Sequence, residues 1–217
     1  MRAYAALVLF VVALWMSEAE GASGCSTVDT VKDFNKDNFF TGSWYITHYK
    51  LGDSTLEVGD KNCTKFLHQK TADGKIKEVF SNYNPNAKTY SYDISFAKVS
   101  DFDGNNGKYT AKNVIVEKDG RKIDERTLQV SYIDTDYSKY SVVHVCDPAA
   151  PDYYLYAVQS RTENVKEDVK SKVEAALGKV GLKLSGLFDA TTLGNKCQYD
   201  DETLQKLLKQ SFPNYEK

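Results

Sequence analysis

Few side chains in this 217-residue sequence stand where they could do chemistry, and the acids among them are the most telling. Glu78, Phe80 and Asn82 fall two residues apart and so share one face of an extended segment. Ser91 and Asp93 share a face in the next segment, and Asp147 continues the alternation of Val143 and Val145. Carboxylates gathered on the inner face of an enclosed sheet have one obvious use. They neutralise a cation, because an unpaired charge cannot enter a low-dielectric cavity without a cost larger than its contacts return. Phe80, Tyr153 and Leu155 offer ring and apolar contact beside those acids, with Phe66 in reserve, whereas Tyr90 reads as an outer-face residue.

The three histidines give less. Alternation with Trp44 and Ile46 points His48 inward, alternation with Val143 and Val145 points His144 outward, and nothing places His68. No nucleophile elbow, no helical pair of metal-binding histidines and no phosphate-cradling glycine loop is present, so neither catalysis nor a metal site is expected.

These positions must be held by strands. Short segments rich in Tyr, Val, Phe and Thr cover 43–49, 63–69, 76–84, 89–96, 107–118, 122–133, 140–146 and 155–161. Turn chemistry separates them, at Asp73-Gly74, Asn84-Pro85-Asn86, Gly104-Asn105-Asn106 and Asp119-Gly120. The pattern predicts a mainly β fold, an eight-stranded antiparallel up-and-down barrel of the size that encloses one small ligand. Gly42, followed two residues later by Trp44, begins the first strand, with Trp44 as an apolar plug at the narrow end. From about residue 163 the period changes. Val165, Val169, Val173, Leu177 and Val180 mark an amphipathic helix ended by Gly178 and Gly181, and Asp200 caps a second helix through Leu208. Both helices are expected outside the barrel.

The N-terminus sets the compartment. Arg2, the apolar run 5–16 and the small residues Gly21, Ala22, Ser23 and Gly24 predict a signal peptide over 1–23, followed by one domain over 24–217. Loss of Arg2, Glu18 and Glu20 leaves 27 basic against 28 acidic residues, a balance that argues against nucleic acid as partner. The apolar run is too short for a membrane span. All four cysteines follow it, and an even count in a secreted chain reads as two disulfides, with three pairings open. Asn62-Cys63-Thr64 formally matches a glycosylation acceptor.

Longer stretches carry a resemblance. Phe39-Phe40-Thr41-Gly42-Ser43-Trp44-Tyr45-Ile46-Thr47, Gly74-Lys75-Ile76-Lys77-Glu78-Val79, Tyr109-Thr110-Ala111, Leu155-Tyr156-Ala157-Val158 and Asn195-Lys196-Cys197-Gln198-Tyr199-Asp200 resemble the salivary lipocalins of blood-feeding bugs, in particular the nitrophorin branch. The likeness runs over essentially the whole mature chain. It implies pairing of Cys25 with Cys146 and of Cys63 with Cys197, secretion in saliva, and a monomer. It also implies a site, since nitrophorins carry nitric oxide on a haem held by one His in the strand matching 76–84. Here Asn82 occupies that position, and a carboxamide is a poor iron donor. No haem and no other cofactor is therefore expected.

Without iron, the ligand is chosen by charge. The family includes binders of biogenic amines, eicosanoids and adenine nucleotides. Glu78, Asp93 and Asp147, the last at a position that relatives fill with an apolar residue, favour an ammonium over a carboxylate or phosphate. The loop 147–152 is shorter than in nitrophorins and carries Pro148 and Pro151, which suits a smaller guest. The resemblance thus implies sequestration of serotonin or noradrenaline, countering platelet activation and vasoconstriction. The alternatives are a haem-borne nitric-oxide carrier, an eicosanoid or ADP binder, and a protease inhibitor acting through the mouth loops.

Overall fold

The computed structural model describes residues 25–52 and 61–216; the expected signal peptide lies outside the described residues. Eight antiparallel strands form the wall: β1 Ser43–Leu51, β2 Cys63–Lys70, β3 Lys75–Asn84, β4 Thr89–Lys98, β5 Lys108–Val116, β6 Lys122–Thr135, β7 Tyr140–Asp147 and β8 Ala150–Ser160. Each pairs with its sequence neighbour, and β8 returns to β1. The pairing of Ser43 through Ile46 with Leu67 through Thr64 then joins β1 to β2, so the sheet closes into the expected up-and-down barrel. A two-residue strand, β9 Phe188–Asp189, adds to the free side of β1.

Inner and outer faces follow the pleat. Glu78 lies opposite Ser95, Phe80 opposite Asp93 and Asn82 opposite Ser91, so the candidate residues of β3 and β4 do share one face. The narrow end is closed by rings. Phe34, Phe39, Phe40, Trp44, Phe66, Phe102, Tyr109 and Tyr132 pack in one buried cluster, with Phe39 and Tyr132 ring centres 4.3 Å apart. Arg161 clamps that end. Its guanidinium lies 3.7 Å from the centre of the Trp44 ring and donates to the backbone oxygens of Phe39 and Tyr137, each at 3.1 Å or less. Burial lowers its pKa to about 10. Gly42 precedes this turn at φ +64°, a left-handed conformation that glycine adopts without steric cost.

The helices lie outside, as their apolar faces require. A 3₁₀ turn, Glu167–Val169, leads into α2 Lys170–Gly178; a short α1, Lys36–Phe39, lies earlier at the narrow end. Val169, Val173, Ala176 and Leu177 pack on Ile133, Tyr140, Val142 and Val158 of the wall. The last helix, α3 Asp201–Lys209, sets Leu204 and Leu207 against Leu67, Val79, Ile94 and Val114. Asp200 caps it as the sequence predicts, accepting from the Thr203 backbone nitrogen at 3.0 Å. Cys25 is bonded to Cys146 and Cys63 to Cys197, the pairing that the resemblance implied. No helix among the described residues is long and apolar enough to cross a membrane.

Candidate functional site

A cavity of about 260 Å³ occupies the barrel interior. Its two sides differ in chemistry. One is apolar, formed by Ile46, Leu51, Leu128, Val130, Val143, Val145, Leu155 and Ala157; the other carries Thr64, Asn82, Ser91, Asp93, Ser95, Asn113 and Arg126. Such division orients a guest that has a ring at one end and a polar head at the other.

Asp93 holds the centre of the polar side. Asn82 Nδ2 donates to its Oδ2 at 2.9 Å, and Thr64 donates through Oγ1 to Asn82 Oδ1 at 2.8 Å. The relay fixes the amide and, through it, the carboxylate. Burial raises the Asp93 pKa above the ordinary value, with the Arg126 charge and the Asn82 hydrogen bond pulling the other way. A half-buried carboxylate of this kind gains more from a cation than an exposed one.

Glu78 lies deeper, 3% exposed, and is already engaged. Tyr109 donates its hydroxyl to Oε1 at 2.6 Å, while His68 Nε2 lies 3.0 Å from Oε2. His68, unplaced by alternation alone, belongs to the floor, where its Nδ1 is 3.3 Å from the Phe39 carbonyl oxygen. Burial next to Glu78 drives the Tyr109 hydroxyl pKa far up, so it stays a donor. Glu78 thus joins the floor to the cavity and has less capacity left for a guest than Asp93.

Phe80 and Leu155 line the cavity as expected, and Tyr153 stands at its rim, 40% exposed. Phe66 supports Phe80 from behind, with ring centres 4.8 Å apart. Tyr90 packs with the outer cluster, and His144 stacks at 4.5 Å on Tyr156, so both face outward as the pattern predicts.

Two expected residues are not in the cavity. His48 faces outward, because the β1–β8 register shifts between Ile46 and His48. The bulge at Thr47 places Tyr49 and Leu51 inside instead and leaves His48 Nε2 3.6 Å from Asp189 on β9. Asp147 does not line the cavity either. Its Oδ1 accepts from the Ala149 backbone nitrogen at 2.8 Å, capping the β7–β8 turn. The register slips between Cys146 and Asp147, and there the alternation of Val143 and Val145 ends.

Arg126 is the residue that this reading left out. Among the described residues it is the only Lys or Arg that lines the cavity. The signal was present, since the alternation of Tyr132, Val130 and Leu128 continues to Arg126 on β6. Gln159, Asn113 and Tyr109 enter in the same way from β8 and β5.

The cavity does not fit haem. No His, Cys or Met is among the described residues that line it, and the Asn82 amide, at the position the resemblance assigns to the iron ligand, is held by Thr64 and Asp93. No group of three or more His, Cys, Asp or Glu suited to a metal ion occurs among the described residues.

Comparison with known proteins agrees with this architecture. A family model described as nitrophorin matches residues 25–207. Nitrophorin-3 of Rhodnius prolixus is 34% identical over 213 residues, covering 93% of this chain and 98% of its own. Triafestin-2 of Triatoma infestans is 20% identical, covering 67% of this chain and 69% of its own. Among solved structures, a biogenic amine-binding protein is 99% identical, with a TM-score of 0.88, covering 89% of this chain and 100% of that one. The cockroach allergen Per a 4, 16% identical at a TM-score of 0.56, shares the fold.

Proposed function

Since the chain belongs to the nitrophorin family, we propose that it is the family's carrier of another cargo: a secreted, monomeric scavenger that captures one biogenic amine, serotonin or noradrenaline, inside the barrel. The observation that carries this reading is the Asn82–Asp93 hydrogen bond. At the position from which relatives hold iron, this chain sets an amide that presents a carboxylate to the cavity. The solved biogenic amine-binding protein, nearly identical over the whole of its length, supports the same reading.

The energetics suffice. Burying roughly 150 to 200 Å² of an indole or catechol ring against the apolar side contributes about 4 to 5 kcal/mol. A charge-assisted hydrogen bond from the ammonium to Asp93 adds about 1.5 to 3 kcal/mol. Other contacts are at hand, for Ser91, Asn82 and Gln159 can meet ring hydroxyls. After the costs of association, submicromolar affinity is within reach. Nothing turns over. Each molecule removes one agonist, and in saliva that would blunt platelet activation and vasoconstriction.

Isothermal titration of the mature chain with serotonin, noradrenaline and a fatty acid tests this. One-to-one heat with the amines and none with the fatty acid is the expected result. Heat with the fatty acid alone would overturn the reading in favour of an anion anchored by Arg126. Haem should produce no Soret band that survives gel filtration.

A further inference from the structure

We propose that the outer wall of the barrel carries a second site, a basic cleft that holds a sulfated polysaccharide. It is separate from the cavity and independent of the amine reading above.

The cleft, about 740 Å³, lies between the outer face of β3, β4 and β5 and the residues that follow α3. Its back wall is fixed. Phe212 and Tyr215 pack on Phe96 with ring centres 5.6 and 5.4 Å apart. Lys77 Nζ, 4.7 Å from the centre of the Phe212 ring, donates to the Gln210 carbonyl oxygen and to Glu216. Further lysines stand in front of that wall. Lys75 lies opposite Lys98 across β3 and β4, and Lys112 of β5 lies opposite Phe96, so the three share the outer face. Lys209, the last residue of α3, reaches the same cleft.

The acids of the cleft are already engaged. Asp73 pairs with Lys75 at 3.1 Å and Glu216 with Lys77 at 3.4 Å, while Asp101 Oδ2 accepts from the Lys98 backbone nitrogen at 2.7 Å. Lys98, Lys112 and Lys209 are exposed, and among the described residues no carboxylate lies within 4.0 Å of their ammonium groups. Like charges set directly opposite, as Lys75 and Lys98 are, destabilise a strand pair, and a bound anion would offset that repulsion.

The shape chooses among anions. Lysine ammoniums are compact point charges that meet sulfate by charge, without the fixed fork of arginine, and the Thr110 and Thr127 hydroxyls beside them suit sugar oxygens. A linear chain can follow a cleft where a flat bilayer would touch only its edges. The rings of the wall, Phe96 and Phe212, are buried, so they offer neither a wedge for a membrane nor a face on which bases could stack.

Binding of the mature chain to immobilised heparin, read by surface plasmon resonance at low ionic strength, tests this. With 27 basic against 28 acidic residues, net charge gives no general reason for retention. The parent should bind, and binding should weaken as salt rises. Lys98→Ala, Lys112→Ala and Lys209→Ala combined should weaken it at least about tenfold. Lys166→Ala, Lys172→Ala and Lys183→Ala combined remove the same charge from exposed positions outside the cleft, and should leave it within about twofold. Melting curves confirm that both triple variants are folded. No binding by the parent, or equal losses in the two variants, overturns the proposal, as does tighter binding to phosphatidylserine vesicles than to heparin.

Discussion

At the scale of single residues, Asp93 differs from an exposed aspartate, because it is half-buried in the barrel and Asn82 donates to it. Its pKa is raised by burial, against the pull of Arg126 and Asn82. The sign of the pH dependence follows. If Asp93 holds the ammonium as proposed, capture needs the ionised carboxylate, so affinity should be full at neutral pH and fall as pH drops through a value above the roughly 3.9 of a free aspartate. In the empty protein the raised value works in the opposite sense: the unfolded chain gives up this proton first, and stability declines as pH rises between the two values. Asp93→Asn should therefore lower serotonin affinity by about 10- to 150-fold, the worth of one charge-assisted hydrogen bond, and flatten the acid limb of the pH profile. It should not reduce the melting temperature at pH 7. Titration calorimetry from pH 4 to 8, paired with melting curves, checks both. Much of this site could be read from alternation along β3 and β4, where the register is regular over all ten pairs from Lys75 to Asn84. His48 and Asp147 could not be so read. A bulge at Thr47 and a slip after Cys146 reverse or end the alternation, and such irregularities depend on what the partner strand does, not on local residue types.

At the scale of elements, the outer helices show how much a cap contributes. Asp200 accepts from the Thr203 backbone nitrogen and hydroxyl, from the Tyr92 hydroxyl at 2.7 Å and from Lys118 at 2.9 Å. Burial alone would raise its pKa, yet these donors outweigh it and hold the carboxyl well below its usual range. Its contribution is thus present above about pH 4 and lost as pH falls through the depressed value. Asp200→Ala should cost about 1 to 2 kcal/mol, a drop in melting temperature of roughly 2 to 8 °C for a chain of this size. Asp200→Asn keeps the backbone cap through its amide oxygen but sets an NH2 where Oδ2 accepts from Tyr92, Thr203 and Lys118, so it should recover only the roughly 1 kcal/mol of the cap relative to Asp200→Ala. Equal losses in the two variants would contradict the division. Capping Asp, helical period and tight turns are local, and so α3 and the eight strands could be read from sequence. The bounds of α2 were less legible, because its first turn is 3₁₀ and one apolar period spans both conformations. The two residues of β9 carry no period at all; they form a strand only because β1 offers a free edge.

At the scale of the molecule, a closed barrel surrounds a cavity of about 260 Å³. The aromatic floor, the Arg161 clamp and two disulfides closing spans of 121 and 134 residues fix the wall, each bridge contributing on the order of 4 to 5 kcal/mol in the chain-entropy view. What the wall then selects is set by charge, since the apolar side would take many rings and only the polar side distinguishes among their heads. The most direct test compares serotonin with N-acetylserotonin, which keeps the indole and hydroxyl but replaces the ammonium by a neutral amide. In calorimetry on the mature chain, serotonin should bind one to one and N-acetylserotonin at least about tenfold more weakly. Equal affinity for the two would contradict the claim that a buried carboxylate captures a cation.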